Sequence, residues 1–258
     1  MTTLVREAPS DGVVLLRLNR PERLNALNEE LVGELQRAFA SLATEYDVRV
    51  VILTGTGRGF CSGIDVRNFG ARMLDATDPA IDRMRFQEMM AALPQAVRAL
   101  PQPVIAAVNG PAVGAGLALC LASDVRICSA SASFANAAIL LGLSGAEMGM
   151  SYYLPRIVGL SVAADWMLTG RAVPAEEAFQ RGLVSELVDD EHLIDHAIER
   201  ASKIAALSPL AVQMTKRTLQ VNTDASDLTA AVELENRNQV ITHATQEAAA
   251  ARERWAAR

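Results

Sequence analysis

Aromatic residues make up only 4% of this 258-residue chain, and the formal net charge is -6. There is no basic patch with interleaved aromatics, so a nucleic-acid surface is not expected. The acidic balance says nothing about small anionic ligands, because a local site can oppose the global sign. Cysteine is scarce: Cys61, Cys120 and Cys128 are an odd count in apolar surroundings. They read as reduced core residues, not as a disulfide frame, and no pair has metal-ligand spacing. Histidine is equally scarce, and His192, His196 and His243 all fall in expected C-terminal helices. His192 and His196 share a helix face at metal-compatible spacing, but Asp189, Asp190, Glu191 and Asp195 around them favour a solvated face, and no metal site is expected. The first twelve residues hold no apolar core of signal-peptide length. No apolar run approaches membrane-span length without small-residue turns. A soluble, cytoplasmic protein is expected.

What is present is apolar. Half of the residues are hydrophobic and 21% are charged, enough for one sizeable core with an appendage. The centre is the stretch from Val104 to Leu121: a short apolar run, the turn Asn109-Gly110-Pro111, then Gly114-Ala115-Gly116 opening a second apolar run. A buried strand, a tight turn and a buried helix are the simplest account. Unpaired N–H groups at such a helix start suit a phosphate, or an oxygen that becomes negative during a reaction. Small residues also let a helix pack closely on a sheet without any ligand, and this stretch alone does not separate the two uses.

The rest of the chain reads as alternating strands and helices, hence a mostly parallel α/β core. Strands are expected at 13–19, 48–53, 124–128 and 183–188. Helices are expected at 29–44 with Asn28 as N-cap, from about 81, at 152–158, at 160–169, at 174–181 ended by Gly182, and at 191–207, 208–219 and 227–250. The region 67–99 is charged, methionine-rich and interrupted at 75–79. Its Met84, Met89 and Met90 suit either core packing or an acyl tunnel.

A second stretch, residues 50–65, gives the centre a context. Val50 to Leu53 reads as a buried strand, Thr54-Gly55-Thr56-Gly57-Arg58-Gly59 as a loop, and Phe60-Cys61-Ser62-Gly63 as a second small-residue turn. The two stretches together resemble the crotonase superfamily, the enoyl-CoA hydratase/isomerase family, whose signature is G-x-G-x-x-F-[CS]-[AS]-G-x-D followed by N-G-x-x-x-G-x-G. Residues 20–28, 168–171, 175–178, 182–184 and 208–212 also resemble that family's segments, in order.

The resemblance implies a spiral of ββα turns over residues 1–200 and a C-terminal helical trimerisation region over 201–258. It also implies a homotrimer or dimer of trimers, an acyl-CoA or enoyl-CoA thioester as substrate, and no cofactor, since CoA is part of that substrate. The backbone N–H groups of Ser62 and Ala115 would form an oxyanion hole for the thioester enolate. Backbone groups of Ala26, Leu27, Gly63, Ile64 and Asp65 would hold CoA, and Arg23 would reach a CoA phosphate. Arg23 as a solvated surface residue is the alternative.

One departure bears on the reaction. Hydration in this family uses two glutamates to handle water and proton. The corresponding positions here are Ala118 and Ala138, and neither can transfer a proton. Glu147, at an expected helix start, is the candidate single acid/base; a solvated first-turn glutamate is the alternative. Residues 114–119 nearly match a dinucleotide fingerprint but lack the third glycine. Residues 142–146 nearly match a nucleophile elbow but end in Ala146. The readings that remain are an enzyme acting at the α-carbon of an acyl-CoA, a non-catalytic acyl-CoA binder on the same fold, and a CoA-thioester hydrolase.

Overall fold

The structure, a computed structural model, describes residues 2–67, 69 and 79–256. Residues 75–78 of the expected 75–79 interruption lie outside these.

Six strands form the main sheet in the order β1-β2-β3-β4-β6-β9. They are β1 Leu4–Ser10, β2 Val13–Leu18, β3 Val50–Gly55, β4 Val104–Val108, β6 Val125–Ser129 and β9 Glu186–Val188. Only the β1–β2 pair is antiparallel. Both faces of the sheet are covered, which is why β3 and β4 are apolar at nearly every position. Val51 and Leu53 share one face with Val104, Ala106 and Val108. Ile52, Ile105, Ala107 and Ile127 share the other.

A second sheet has three short strands, β5 Pro111–Val113, β7 Ser133–Ala135 and β8 Val173–Pro174. Isolated bridges, Cys61 with Ala112 and Leu27 with Ile64, tie further turns into this layer. The chain therefore spirals. Each turn gives one strand to the main sheet, then a strand or bridge to the second layer, then a helix. α1 is Glu29–Leu42, α2 Pro79–Ala99 and α3 Ala115–Ala122. Asn28 caps α1 as expected, its Oδ1 accepting from the Leu31 N–H at 3.0 Å.

α4 Met150–Val158 and α5 Leu160–Thr169 follow, then α6 Ala175–Gln180. α7, Leu193–Ala205, runs through position 200 and belongs to the core. Its Leu193, Ala197, Ala201 and Ala205 recur every fourth residue and cover the sheet face of Ile52 and Ile105. Beyond it come α8 Pro209–Asn222, and then α9 Leu228–His243 and α10 Gln246–Ala256, which divide the expected 227–250 helix at Ala244 and Thr245. These three bury almost nothing, and Leu219, Leu228, Val240 and Trp255 stand exposed. The exception is Lys216, whose Nζ lies 2.7 Å from Asp124 Oδ2 and donates to the Gln102 carbonyl at 2.8 Å. Asp124 Oδ2 also accepts from the Val104 N–H at 2.8 Å, so α8 is pinned to the start of β4.

None of the three methionines lines the cavity described next. Met90 is core, Met89 packs against it and Met84 is exposed. No described helix is long and apolar enough to cross a membrane.

Candidate active site

Two glycine-rich turns are pressed together above the carboxyl ends of β3 and β4. A Cβ on Gly116 would stand 2.2 Å from the Cys61 carbonyl oxygen, so α3 approaches the 61–63 turn as closely as backbone allows. Gly63 has φ +93°, and a Cβ there would come 2.9 Å from the Val113 oxygen and 3.7 Å from the Ala115 nitrogen. Asn109 locks the two loops: its Oδ1 accepts from the Gly55 N–H at 3.0 Å and its Nδ2 donates to the Gly57 carbonyl at 2.8 Å. Asn25, fully buried, binds the Arg20 N–H at 2.8 Å and the Gly59 carbonyl at 2.7 Å.

A cavity of about 660 Å³ opens beside these turns. One wall is built from Arg23, Ala26 and 62–67, with Val113, Gly114 and Ala115 at its base. The other is Ala137, Ala138, Leu141, Leu143, Ser144, Ala146 and Glu147. Phe69 and the α2 residues Arg83, Phe86 and Gln87 close it. Phe69 and Phe86 pack with their rings tilted by 57° and their centroids 4.9 Å apart.

Most of the residues expected in a site meet here, with corrections. The Ser62 N–H is already donated to the Leu24 carbonyl at 2.9 Å. It is therefore not available to an oxyanion. The bridge between Leu27 and Ile64 uses the Leu27 N–H to Gly63 and the Asp65 N–H to Leu27, at 2.8 and 2.9 Å. In a parallel bridge the bridged residue's own N–H points the other way, and the Ile64 N–H has no partner among the described residues. The same holds for the Ala115 N–H, first in α3. Leu27 is fully buried and does not line the cavity. The Ala26 N–H is donated to Arg23, at 3.0 Å. Asp65 lines the wall but is tied to Arg20, Nη2 to Oδ2 at 2.9 Å.

The two alanines part company. Ala118 is wholly enclosed and faces no cavity, while Ala138 is part of the cavity wall. Glu147 does not open a helix: α4 begins at Met150, and the Glu147 carbonyl accepts from the Met150 N–H at 2.8 Å. The expected first-turn dipole reading is replaced by burial in the cavity wall. That burial pushes the Glu147 carboxyl above the usual carboxylate range, opposed in part by the Gln87 amide 3.5 Å away. Asn136 donates to the Gly145 carbonyl and holds the loop that carries Glu147. Among the described residues, Asp65 and Glu147 are the carboxylates on the cavity, and Asp65 is ion-paired. Asn109 opens the second glycine-rich motif in the sequence, whereas Gln87 and Asn136 had no local sequence signal; only the folded chain brings them to the site.

The three cysteines are buried, and burial raises the Cys61 thiol to about 12, so it carries no nucleophile. His196 pairs with Glu186 on the surface, away from the cavity.

Residues 8–257 match the family described as Enoyl-CoA hydratase/isomerase. The chain is 43% identical over 252 residues to a probable enoyl-CoA hydratase, EchA12, of Mycobacterium tuberculosis, covering 95% of this chain and 88% of that one. It is 38% identical over 209 residues to the 1,2-epoxyphenylacetyl-CoA isomerase of Escherichia coli, covering 81% and 78%. Among solved structures, a monofunctional enoyl CoA isomerase from M. smegmatis is 40% identical with a TM-score of 0.77, covering 90% of this chain and 99% of that one.

Proposed function

We propose that this chain, which belongs to the enoyl-CoA hydratase/isomerase family, isomerises an enoyl-CoA thioester with Glu147 as its single acid/base. The family acts on CoA thioesters, and this chain is an enzyme of it. The observation that carries the finer reading is that Glu147 is the one described cavity carboxylate not tied up in an ion pair, and that burial raises its pKa.

The reaction asks for little else. The thioester oxygen accepts from the N–H groups of Ile64 and Ala115, which stabilise negative charge by a few kcal/mol each. Ionised Glu147 takes a proton from one carbon of the acyl chain, giving the enolate. The same carboxyl, now protonated, returns the proton to another carbon of that chain. One proton leaves and one arrives, so no second carboxylate is required. Hydration would also need a group to orient and deprotonate water. Ala118 is enclosed and Ala138 offers a methyl group, which argues against it. The M. smegmatis structure, a monofunctional enoyl CoA isomerase, supports the same reaction, while the E. coli relative isomerises a different CoA thioester and the M. tuberculosis relative is named a probable hydratase.

Arg23 is proposed to face CoA phosphate, and Ala26, Gly63, Ile64 and Asp65 to line the CoA path. We further propose a homotrimer or dimer of trimers built through the exposed apolar residues of α8 to α10, in the cytoplasm. No cofactor is needed, since only a proton moves.

Incubation with a panel of enoyl-CoA thioesters in heavy water, followed by mass spectrometry, tests this. Uptake of deuterium without addition of water is expected, abolished in Glu147→Gln. Addition of water, release of free CoA, or full exchange in Glu147→Gln would each overturn it. Tight binding with no exchange on any thioester would move the chain to the binding-protein reading.

A further inference from the structure

The cavity carries more cationic charge than its chemistry uses. Arg23, Arg67 and Arg83 line it on a chain of net charge -6. Arg23 and Arg67 stand on the wall of the 62–67 segment, the side assigned to CoA. Arg83 does not. It lies on α2, four residues before Gln87 and three before Phe86, so the three share one helix face. Gln87 reaches Glu147 across the cavity. The backbone of Arg83 is therefore about 6 Å along the helix axis from that of Gln87, whose amide touches the acid/base. Its neighbour Arg85 has an acidic partner in Asp82 at 3.7 Å, whereas Arg83 has none among the described residues. The same cavity is lined by Phe86, which lies between Arg83 and Gln87 on α2, and by Leu141 and Leu143, apolar surface for a methylene chain.

We propose that Arg83 is an anion subsite for the far end of the acyl group, and that the favoured substrate class is a CoA thioester with a second carboxylate on its acyl chain. The guanidinium fork matches a carboxylate bidentately. The apolar wall holds the intervening carbons and Arg83 fixes the terminus. The proposal rests on the acyl group lying beside Glu147, as set out above.

Binding of non-reacting saturated thioesters separates the two ideas, because no proton transfer is involved. Hexanoyl-CoA, hexanedioyl-CoA and free CoA are titrated calorimetrically into the protein and into Arg83→Gln. Wild type should bind hexanedioyl-CoA at least about tenfold more tightly than hexanoyl-CoA, a difference of about 1.4 kcal/mol. Arg83→Gln should erase that preference and leave free CoA and hexanoyl-CoA unchanged. Equal binding of the two thioesters by wild type would overturn the proposal. So would an equal loss for all three ligands in Arg83→Gln, since that marks a CoA phosphate contact. A preference that holds while heavy-water exchange fails would remove the isomerase reading and keep the subsite.

Discussion

The two walls of the cavity are made of different material. The wall of Arg23, Ala26 and 62–65 is backbone, fixed by bridges at Leu27 and Cys61 and by the side chains of Asn25 and Asn109. The wall of 137–147 and α2 is side chain: three alanines, two leucines, a serine, a glutamate, a phenylalanine, a glutamine and an arginine. A backbone wall tolerates sequence change, because N–H groups remain when side chains vary. It can keep one task, the thioester oxygen, while the opposite wall changes the reaction by exchanging single residues. Of the two positions where the resemblance expects glutamates, Ala138 lies on this second wall, together with Glu147.

Substitutions can break that division of labour. The largest effect is expected on the side-chain wall: Glu147→Gln should slow turnover about 10²–10⁴-fold with little change in thermal midpoint. Loss of both would show that Glu147 is structural. Next, Gly116→Ala forces a Cβ to 2.2 Å from the Cys61 oxygen. It should cost about 3 kcal/mol in urea unfolding, with weakened CoA binding. Asn109→Ala removes the acceptor of the Gly55 N–H and the donor to Gly57, and should cost about 1–2 kcal/mol by the same measurement. The pH profile sharpens the comparison further. Glu147 must be ionised to accept a proton, so the rate should fall as pH drops through its raised pKa. That limb should sit above the ordinary carboxylate value of about 4.3. Gln87→Leu, which removes the amide that opposes the shift, should move it higher still. The smallest effect is on stability. A carboxyl with a raised folded pKa stabilises the fold below its unfolded pKa, and that contribution is lost as pH rises through the folded one. Wild type should therefore lose slightly more stability than Glu147→Gln between acid and neutral pH, read from urea midpoints at each pH.

The sequence carried the backbone wall better than its detail. The glycine turns, the flanking strands, the Asn28 cap and the Gly182 stop depend on local patterns, and they stand where the spacing placed them. β1 was missed because an edge strand with Arg6, Glu7 and Pro9 shows no apolar alternation. β5 and β7 are three residues each, too short for any period. The free amide is at Ile64 and not Ser62 because a short turn with Gly63 at φ +93° decides which N–H faces inward, and spacing does not encode that. Glu147 stood out by position alone, yet its setting depends on Gln87 sixty residues earlier. Arg83 had no pattern to mark it until α2 was laid across the cavity.

The pin between Lys216 and Asp124 reaches into how the molecule is made. During synthesis β4 and the Asp124 carboxylate that caps its first N–H leave the ribosome long before α8 does. At about 5–20 residues per second, the partner lysine arrives on the order of ten seconds later. Through that interval Asp124 lacks the lysine it pairs with in the fold, so a chain cut short before α8 would lose the bridge from α8 to the start of the central strand.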